Sequence, residues 1–227
     1  MAFLVGVSGV IGSGKDYLTD KLIEELTTRG RTIAQTSFAK PLKKELGDII
    51  DLLKDEREHS HHDLAVHLSD SVDNMSVEQA GWLVERLHPE LDIPDLNGWS
   101  RSLGVRSCLQ VLGTDIRRAQ EPSYWTDIFL EEVNSLETDY VFVSDGRFPN
   151  EMDCVIDNGG VTFRMDVSEE ILNHRRMSRD GIAYTEEQLN HTSETALNDY
   201  KRFDYYVGEV VEADFLSDII EMRYRLR

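Results

Sequence analysis

The segment Gly9-Val10-Ile11-Gly12-Ser13-Gly14-Lys15 constrains the fold more than any other stretch of the chain, because its G-x-x-x-x-G-K spacing works only in one context. That context is present on both sides. Residues 2–8 form a short, almost continuous apolar run, the pattern of a strand buried on both faces. After the loop, Leu18, Leu22, Ile23 and Leu26 recur at helical spacing and Gly30 stands as a C-terminal cap. Strand, glycine loop and helix in that order make a phosphate cradle. The glycines let successive backbone N–H groups turn inward, the helix start offers its positive dipole end, and Lys15 reaches the β and γ oxygens of a nucleoside triphosphate. Gly9, Gly12, Ser13, Gly14, Lys15 and Asp16 are therefore the expected nucleotide-binding residues.

Asp16 stands where the common pattern has the Ser or Thr whose hydroxyl binds Mg²⁺. A carboxylate there holds Mg²⁺ directly or through a retained water, or it is only a first-turn acid favoured by the dipole. The residues leave both readings open.

Downstream, residues 31–37 read as a second strand, and Leu42, Leu46, Ile49, Ile50 and Leu53 mark a helix with Pro41 in its first turn. Residues 140–144, 161–167 and 204–211 are further strand candidates; 103–112, 125–136 and 215–224 are helical. The alternation predicts an α/β domain, residues 1–227, with three αβα layers around a parallel sheet of about five strands. Residues 51–100, rich in Asp, Glu and His and bounded by the Pro94 to Gly98 turn, read as an inserted helical lobe.

With 24 Lys plus Arg against 43 Asp plus Glu, the net charge of −19 excludes the coating of a nucleic-acid polymer or an anionic membrane. Anionic ligands must be held locally. A 40% hydrophobic share excludes a disordered chain, and no apolar run is long enough to cross a bilayer. Cys108 and Cys154 are far apart and fit neither a disulfide framework nor a zinc site; reduced thiols and a start without a basic leader suggest the cytoplasm.

Local cations stand out against this acidity. Lys40, Lys43 and Lys44 lie at the start of a helix, where the dipole disfavours them, and Lys43 is spaced to face inward beside the apolar stripe. Asp145 ends a buried strand, where ligands bind in open α/β sheets, and is a candidate for Mg²⁺ or its waters; Arg147 follows, and Glu151 opens the next helix within its reach. His174, Arg175, Arg176 and Arg179 crowd a stretch read as a lid over 168–190. There Arg175 and Arg179 share a helix face and Arg176 turns partly away as a spectator. His59, His61, His62 and His67 match no zinc spacing and read as a hydrated surface. Trp99 reads as core; for Trp125, core and base-stacking platform both stand.

The set V-S-G-V-I-G-S-G-K-D, S-F-A-K-P-L-K, V-R-S-C-L-Q-V-L-G-T-D, Y-W, V-S-D-G-R-F-P-N-E-M-D and H-T-S-E resembles, in content and order, the deoxynucleoside monophosphate kinases of bacteriophages, a branch of the P-loop nucleoside monophosphate kinase fold. The resemblance runs from Val7 to about Leu197, with 51–100 unmatched in detail, and the family shares an acid after the loop lysine. It implies ATP on Gly9 to Asp16, with Lys15 on its phosphates, and a deoxynucleoside monophosphate near Lys43, Arg106, Gln110, Gly113, Thr114, Trp125, Asp145, Arg147 and Glu151; the Mg²⁺ expected with it falls to the two carboxylates read above, Asp16 and Asp145. Lys43 and Arg106 would meet its phosphate and Trp125 its sugar or base. Lys15, Arg147, Arg175 and Arg179 would act on the moving phosphoryl group, with 51–100 as a substrate-binding lobe. A host-cell cytoplasmic setting goes with it, and a homodimer stays open. His191 and Glu194 match the H-T-S-E motif, whose role the residues do not reveal, although Glu194 could order an arginine of the lid. Two rivals remain: a P-loop kinase of another phosphorylated small molecule, like the animal-type phosphomevalonate kinases, and a nucleotide-gated binding module without transfer.

Overall fold

The computed structural model describes residues 2–54, 56, 58–88, 103–180, 189–190 and 192–227. Trp99, His191 and the 181–188 part of the expected lid lie outside them. Two compact units divide the chain: Met1–Phe38 with Phe129–Arg227, and Ala39–Ile128.

In the first unit the apolar run becomes β1 (Phe3–Ser8), with all of its residues buried. It is the central strand. β2 (Ile33–Thr36), β3 (Tyr140–Val143), β4 (Val161–Met165) and β5 (Tyr205–Val207) complete a five-stranded sheet in the order β2-β3-β1-β4-β5. All four pairings are parallel, with Phe3 beside Tyr140 and Val5 beside Val161. Parallel strands need crossover helices, and these cover both faces.

The period-2 alternation of β1 sorts its side chains between two cores. Phe3, Val5 and Val7 pack with Tyr140, Phe142 and Phe163 under α1 (Lys15–Thr28), which contributes Leu18, Leu22 and Leu26, and under the closing helix, Ala213–Arg225, through Leu216 and Ile220. Ala2 and Leu4 turn the other way, to Val141, Val143, Phe129 and Val133, and to Met152 and Val155 of the helix Pro149–Asp157. The three-layer α/β architecture expected from the alternation is thus the one found.

The second unit is helical: α2 (Ala39–Lys54), α3 (His61–Ser71), α4 (Val77–Leu87) and α5 (Leu103–Gln110), the last continuing as a π-helical segment, Val111–Arg118. Ser60 caps α3, and Ser76 with Gln79 closes a capping box on α4. One apolar cluster from Leu46 to Ile116 joins these helices. The unit is wider than the 51–100 segment, because α2 and the π-segment bury their apolar faces in that same cluster. The next helix, α6 (Tyr124–Asn134), carries the second boundary between units.

The remaining elements in chain order are α7 (Pro149–Asp157), α8 (Glu169–Asp180), the short α9 (Thr192–Thr195) and α10 (Ala213–Arg225). Among the described residues no helix is long and apolar enough to cross a membrane.

Candidate functional site

Between β1 and α1 the glycine loop turns on two left-handed residues, Gly12 at φ 85° and Gly14 at φ 91°. A Cβ disfavours that region, so glycine is required there. The turn sets Gly14 as the N-cap of α1 with no side-chain cap. The first-turn amides of a helix have no intrahelical acceptor and present donors to an anion. Ser13 N–H closes the loop on Val10 O at 3.1 Å, and Gly9 packs so tightly on Ser13 that an added Cβ would lie 2.2 Å from Ser13 Oγ.

Helix α8 supplies the facing wall. Gly12, Gly14, Lys15, Asp16, His174, Arg175 and Ser178 line a cleft of about 500 Å³. Arg175 Nη1 donates to Ser13 O at 2.7 Å. Arg176, expected as a spectator, is buried instead: Nε donates to Ile11 O at 2.9 Å, and Glu169 lies 3.6 Å from Nη1. The reason is the loop itself, whose carbonyls point outward when its amides point inward and so need donors from the neighbouring helix. Arg179 lies on α8, with its side chain outside the described set. Ser178 was not singled out by the sequence and His174 only as part of the lid, although their i, i+4 spacing puts them on one face.

Lys15 is mostly buried, with Nζ 3.9 Å from Asp16. The Asp16 carboxylate is 69% exposed and receives a long hydrogen bond, 3.4 Å, from Ser144 Oγ. An exposed carboxylate beside a phosphate loop suits Mg²⁺, which keeps several waters and takes only one or two carboxylates. Asp145 follows Ser144 but has Oδ1 committed to Phe38 N–H at 2.9 Å. Asp16 is the more exposed of the two carboxylates, and Asp145 ties the residues after β3 to Phe38. No group of three or more His, Cys, Asp or Glu gathers as a metal centre among the described residues.

The D-G-R-F-P-N-E segment forms a tight strand-to-helix turn. Glu151 is buried, and its Oε2 accepts the N–H groups of Arg147 at 2.6 Å and Phe148 at 3.1 Å. Its carboxylate shapes the turn at the start of α7. Arg147 instead pairs through Nη1 with Glu194, which also accepts Ile11 N–H at 3.3 Å. Arg164, missed by the sequence reading, donates to Ser8 Oγ at 3.0 Å and lies over the Phe203 ring, and burial pushes its pKa below the ordinary arginine value.

The other expected acceptor-side residues belong to the second unit. Trp125 is 1% exposed and donates Nε1–H to Gly113 O at 3.0 Å, so this indole packs rather than offering a stacking face. Gly113 is core as well: a Cβ there would lie 2.9 Å from Leu42 Cδ2. Lys43, expected to face inward, is exposed, because Leu42 and Leu46 fill the inward stripe of α2. Lys44 is exposed too and pairs with Asp48 at 2.6 Å, an ordinary i, i+4 surface contact. Gln110 is exposed and Thr114 half-buried; Arg106 lies on α5, with its side chain outside the described set. Arg117, which the sequence reading passed over, is buried against Glu45 at 2.6 Å and donates to Asp73 O.

Ser13 Oγ is the orphan of the loop, 1% exposed and without a hydrogen-bond partner among the described residues. Ser13→Ala is expected to leave unliganded stability unchanged or to raise it by about 1 kcal/mol, since it removes a buried unsatisfied hydroxyl, and to weaken ATP binding. Chemical unfolding with a parallel ATP titration checks this. A lower unfolding midpoint with unchanged ATP affinity would make the hydroxyl structural.

No family model matches the chain, and no curated protein matches it either. Solved structures similar to it include TT1252 from Thermus thermophilus, at 16% identity and TM-score 0.49, covering 100% of this chain and 98% of that one. An uncharacterized protein from Eubacterium ventriosum matches at 13% identity and TM-score 0.44, covering 99% of both chains. A sugar kinase from Janibacter sp. matches at 12% identity and TM-score 0.40, covering 98% of this chain and 95% of that one.

Proposed function

We propose that the chain transfers the γ-phosphoryl group of ATP to a deoxynucleoside 5'-monophosphate, giving the diphosphate and ADP. The observation that carries the phosphoryl-transfer part is the cleft in which the left-handed glycine loop, Lys15 and Arg175 face one another. A site of amides and cations with one exposed carboxylate suits a triphosphate with its Mg²⁺. The monophosphate as acceptor is supported by the resemblance of the L-G-T-D and D-G-R-F-P-N-E segments to the phage kinases.

The chemistry asks little of a base. An acceptor phosphate oxygen is already ionised near neutral pH. It attacks the γ-phosphorus while the bond to the β–γ bridging oxygen breaks and ADP leaves. Alignment and charge neutralisation then carry the rate, which suits a site built from loop amides, Lys15, Arg175 and Arg147. Asp16 would hold Mg²⁺, whose charge would offset that of the triphosphate. Lys43, Arg106, Gln110 and Thr114 remain the proposed groups for recognising the acceptor.

Steady-state ATP turnover with Mg²⁺ and each deoxy- and ribonucleoside monophosphate in turn tests the reading, with phosphomevalonate as a control acceptor. At least one deoxynucleotide should accelerate ADP formation. Acceleration by phosphomevalonate alone would move the chain to the rival kinase class, and an ATP turnover indifferent to every acceptor would reject transfer.

A further inference from the structure

Glu194 belongs to the H-T-S-E motif, which the proposed function leaves unused. It lies 183 residues from Ile11 and 47 from Arg147, yet its carboxylate touches both. Its side chain is only 9% exposed. A buried carboxylate beside a phosphate loop is electrostatically misplaced, because it repels the anion the loop is built to hold. Two contacts remove that objection. Oε1 pairs with the Arg147 guanidinium, which neutralises the charge, and Oε2 accepts the Ile11 N–H in a charge-assisted bond. The Ser193 carbonyl adds a second acceptor for Arg147 Nη1 at 3.4 Å.

We propose that Glu194 is a positioning residue that clamps Arg147 to the phosphate loop, so that this guanidinium is already aimed when the phosphoryl group moves. The proposal rests on the phosphoryl-transfer reading of the same site. A planar guanidinium carries five donors in a rigid fork, so holding one end of it sets where the rest points. The Ile11 bond then fixes the fork relative to the loop and not merely to its own segment. Arg176 secures the same residue from the other side, through Ile11 O. The loop limb at Ile11 is therefore held by a carboxylate on its amide and by a guanidinium on its carbonyl, and one of those holds carries the orientation of Arg147. Glutamate has the reach to bridge both partners, whereas aspartate keeps the charge with one methylene less.

A double-mutant cycle tests this with the parent, Glu194→Gln, Arg147→Gln and the double variant, read as kcat, ATP KM, ATP affinity and unfolding midpoint. Glutamine keeps the shape and an acceptor for Ile11 N–H, but it loses the charge pair. Glu194→Gln should lower kcat by about 10- to 100-fold and change ATP KM by less than about threefold, as a misaimed group would. The double variant should match Arg147→Gln within about twofold, because Glu194 acts through that arginine. Glu194→Asp should restore part of the kcat lost in Glu194→Gln.

Losses that multiply in the double variant would overturn positioning, as would a falling midpoint with unchanged kcat. A Glu194→Gln variant that binds ATP more tightly and turns over faster would make the carboxylate a competitor of phosphate instead, and would also overturn it. Should the parent phosphorylate no acceptor, the functional reading fails by itself. The cycle is then judged on ATP affinity and unfolding midpoint, where a double variant matching Arg147→Gln supports the clamp and independent losses reject it.

Discussion

Lys15→Met is expected to lower kcat by about 10³-fold or more while leaving the unfolding midpoint near that of the parent. The side chain lines the cleft and does not belong to any of the apolar clusters, so methionine of similar length empties no core. What it removes is the charged donor that the proposed function assigns to the triphosphate, and charge-assisted bonds are about twice as strong as neutral ones. Stopped turnover assays and a thermal or urea unfolding curve on the same preparation check both halves. Unchanged kcat would remove Lys15 from the site.

Arg175→Ala is the second large effect. In P-loop enzymes an arginine acting on the transition state is worth about 10³ to 10⁵ in rate. Arg175 lines the cleft and has Nη1 on Ser13 O at 2.7 Å, so it stands beside the loop rather than in bulk solvent. A loss of at least about a hundredfold in kcat, with a smaller change in ATP KM, is expected for an interaction made mainly in the transition state. Arg176→Ala should behave differently. Its guanidinium is buried on Ile11 O, so the variant should lose stability and ATP affinity together. Near-parental kcat in Arg175→Ala would leave Arg147 as the principal arginine of transfer.

The strong local signals in the chain were those with a fixed period or a fixed motif. Continuous apolar runs at β1 and β3, helical spacing in α1 and α2, and the glycines of the loop each follow from backbone geometry, so the central strands of the sheet and the glycine turn between β1 and α1 were legible. The π-segment from Val111 to Arg118 was not, because its i to i+5 bonding changes which residues share a face and no 3.6-residue pattern announces it. That change seats Gly113 against Leu42 and puts its carbonyl on the Trp125 indole, turning two expected ligand contacts into packing.

Long-range polar partners were equally hidden. Nothing local to Glu194 says that it will meet Ile11 and Arg147, and nothing around Arg176 says that it will meet a loop carbonyl rather than water. Lys43 shows the limit of helix-wheel reasoning, since one position past a half-buried Leu42 already points to solvent. Glu151 accepts the backbone N–H groups of Arg147 and Phe148, a capping role that a side-chain pairing argument does not reach.

The central claim is that the phosphate cleft moves a phosphoryl group to a nucleotide acceptor. Incubating the full chain with γ-labelled ATP, Mg²⁺ and a panel of deoxynucleoside monophosphates, then separating the products, tests it directly. The label should appear in a deoxynucleoside diphosphate, in an amount matching the ADP formed, and Lys15→Met should abolish the transfer. Label recovered only as inorganic phosphate, at a rate indifferent to every monophosphate, would contradict the account.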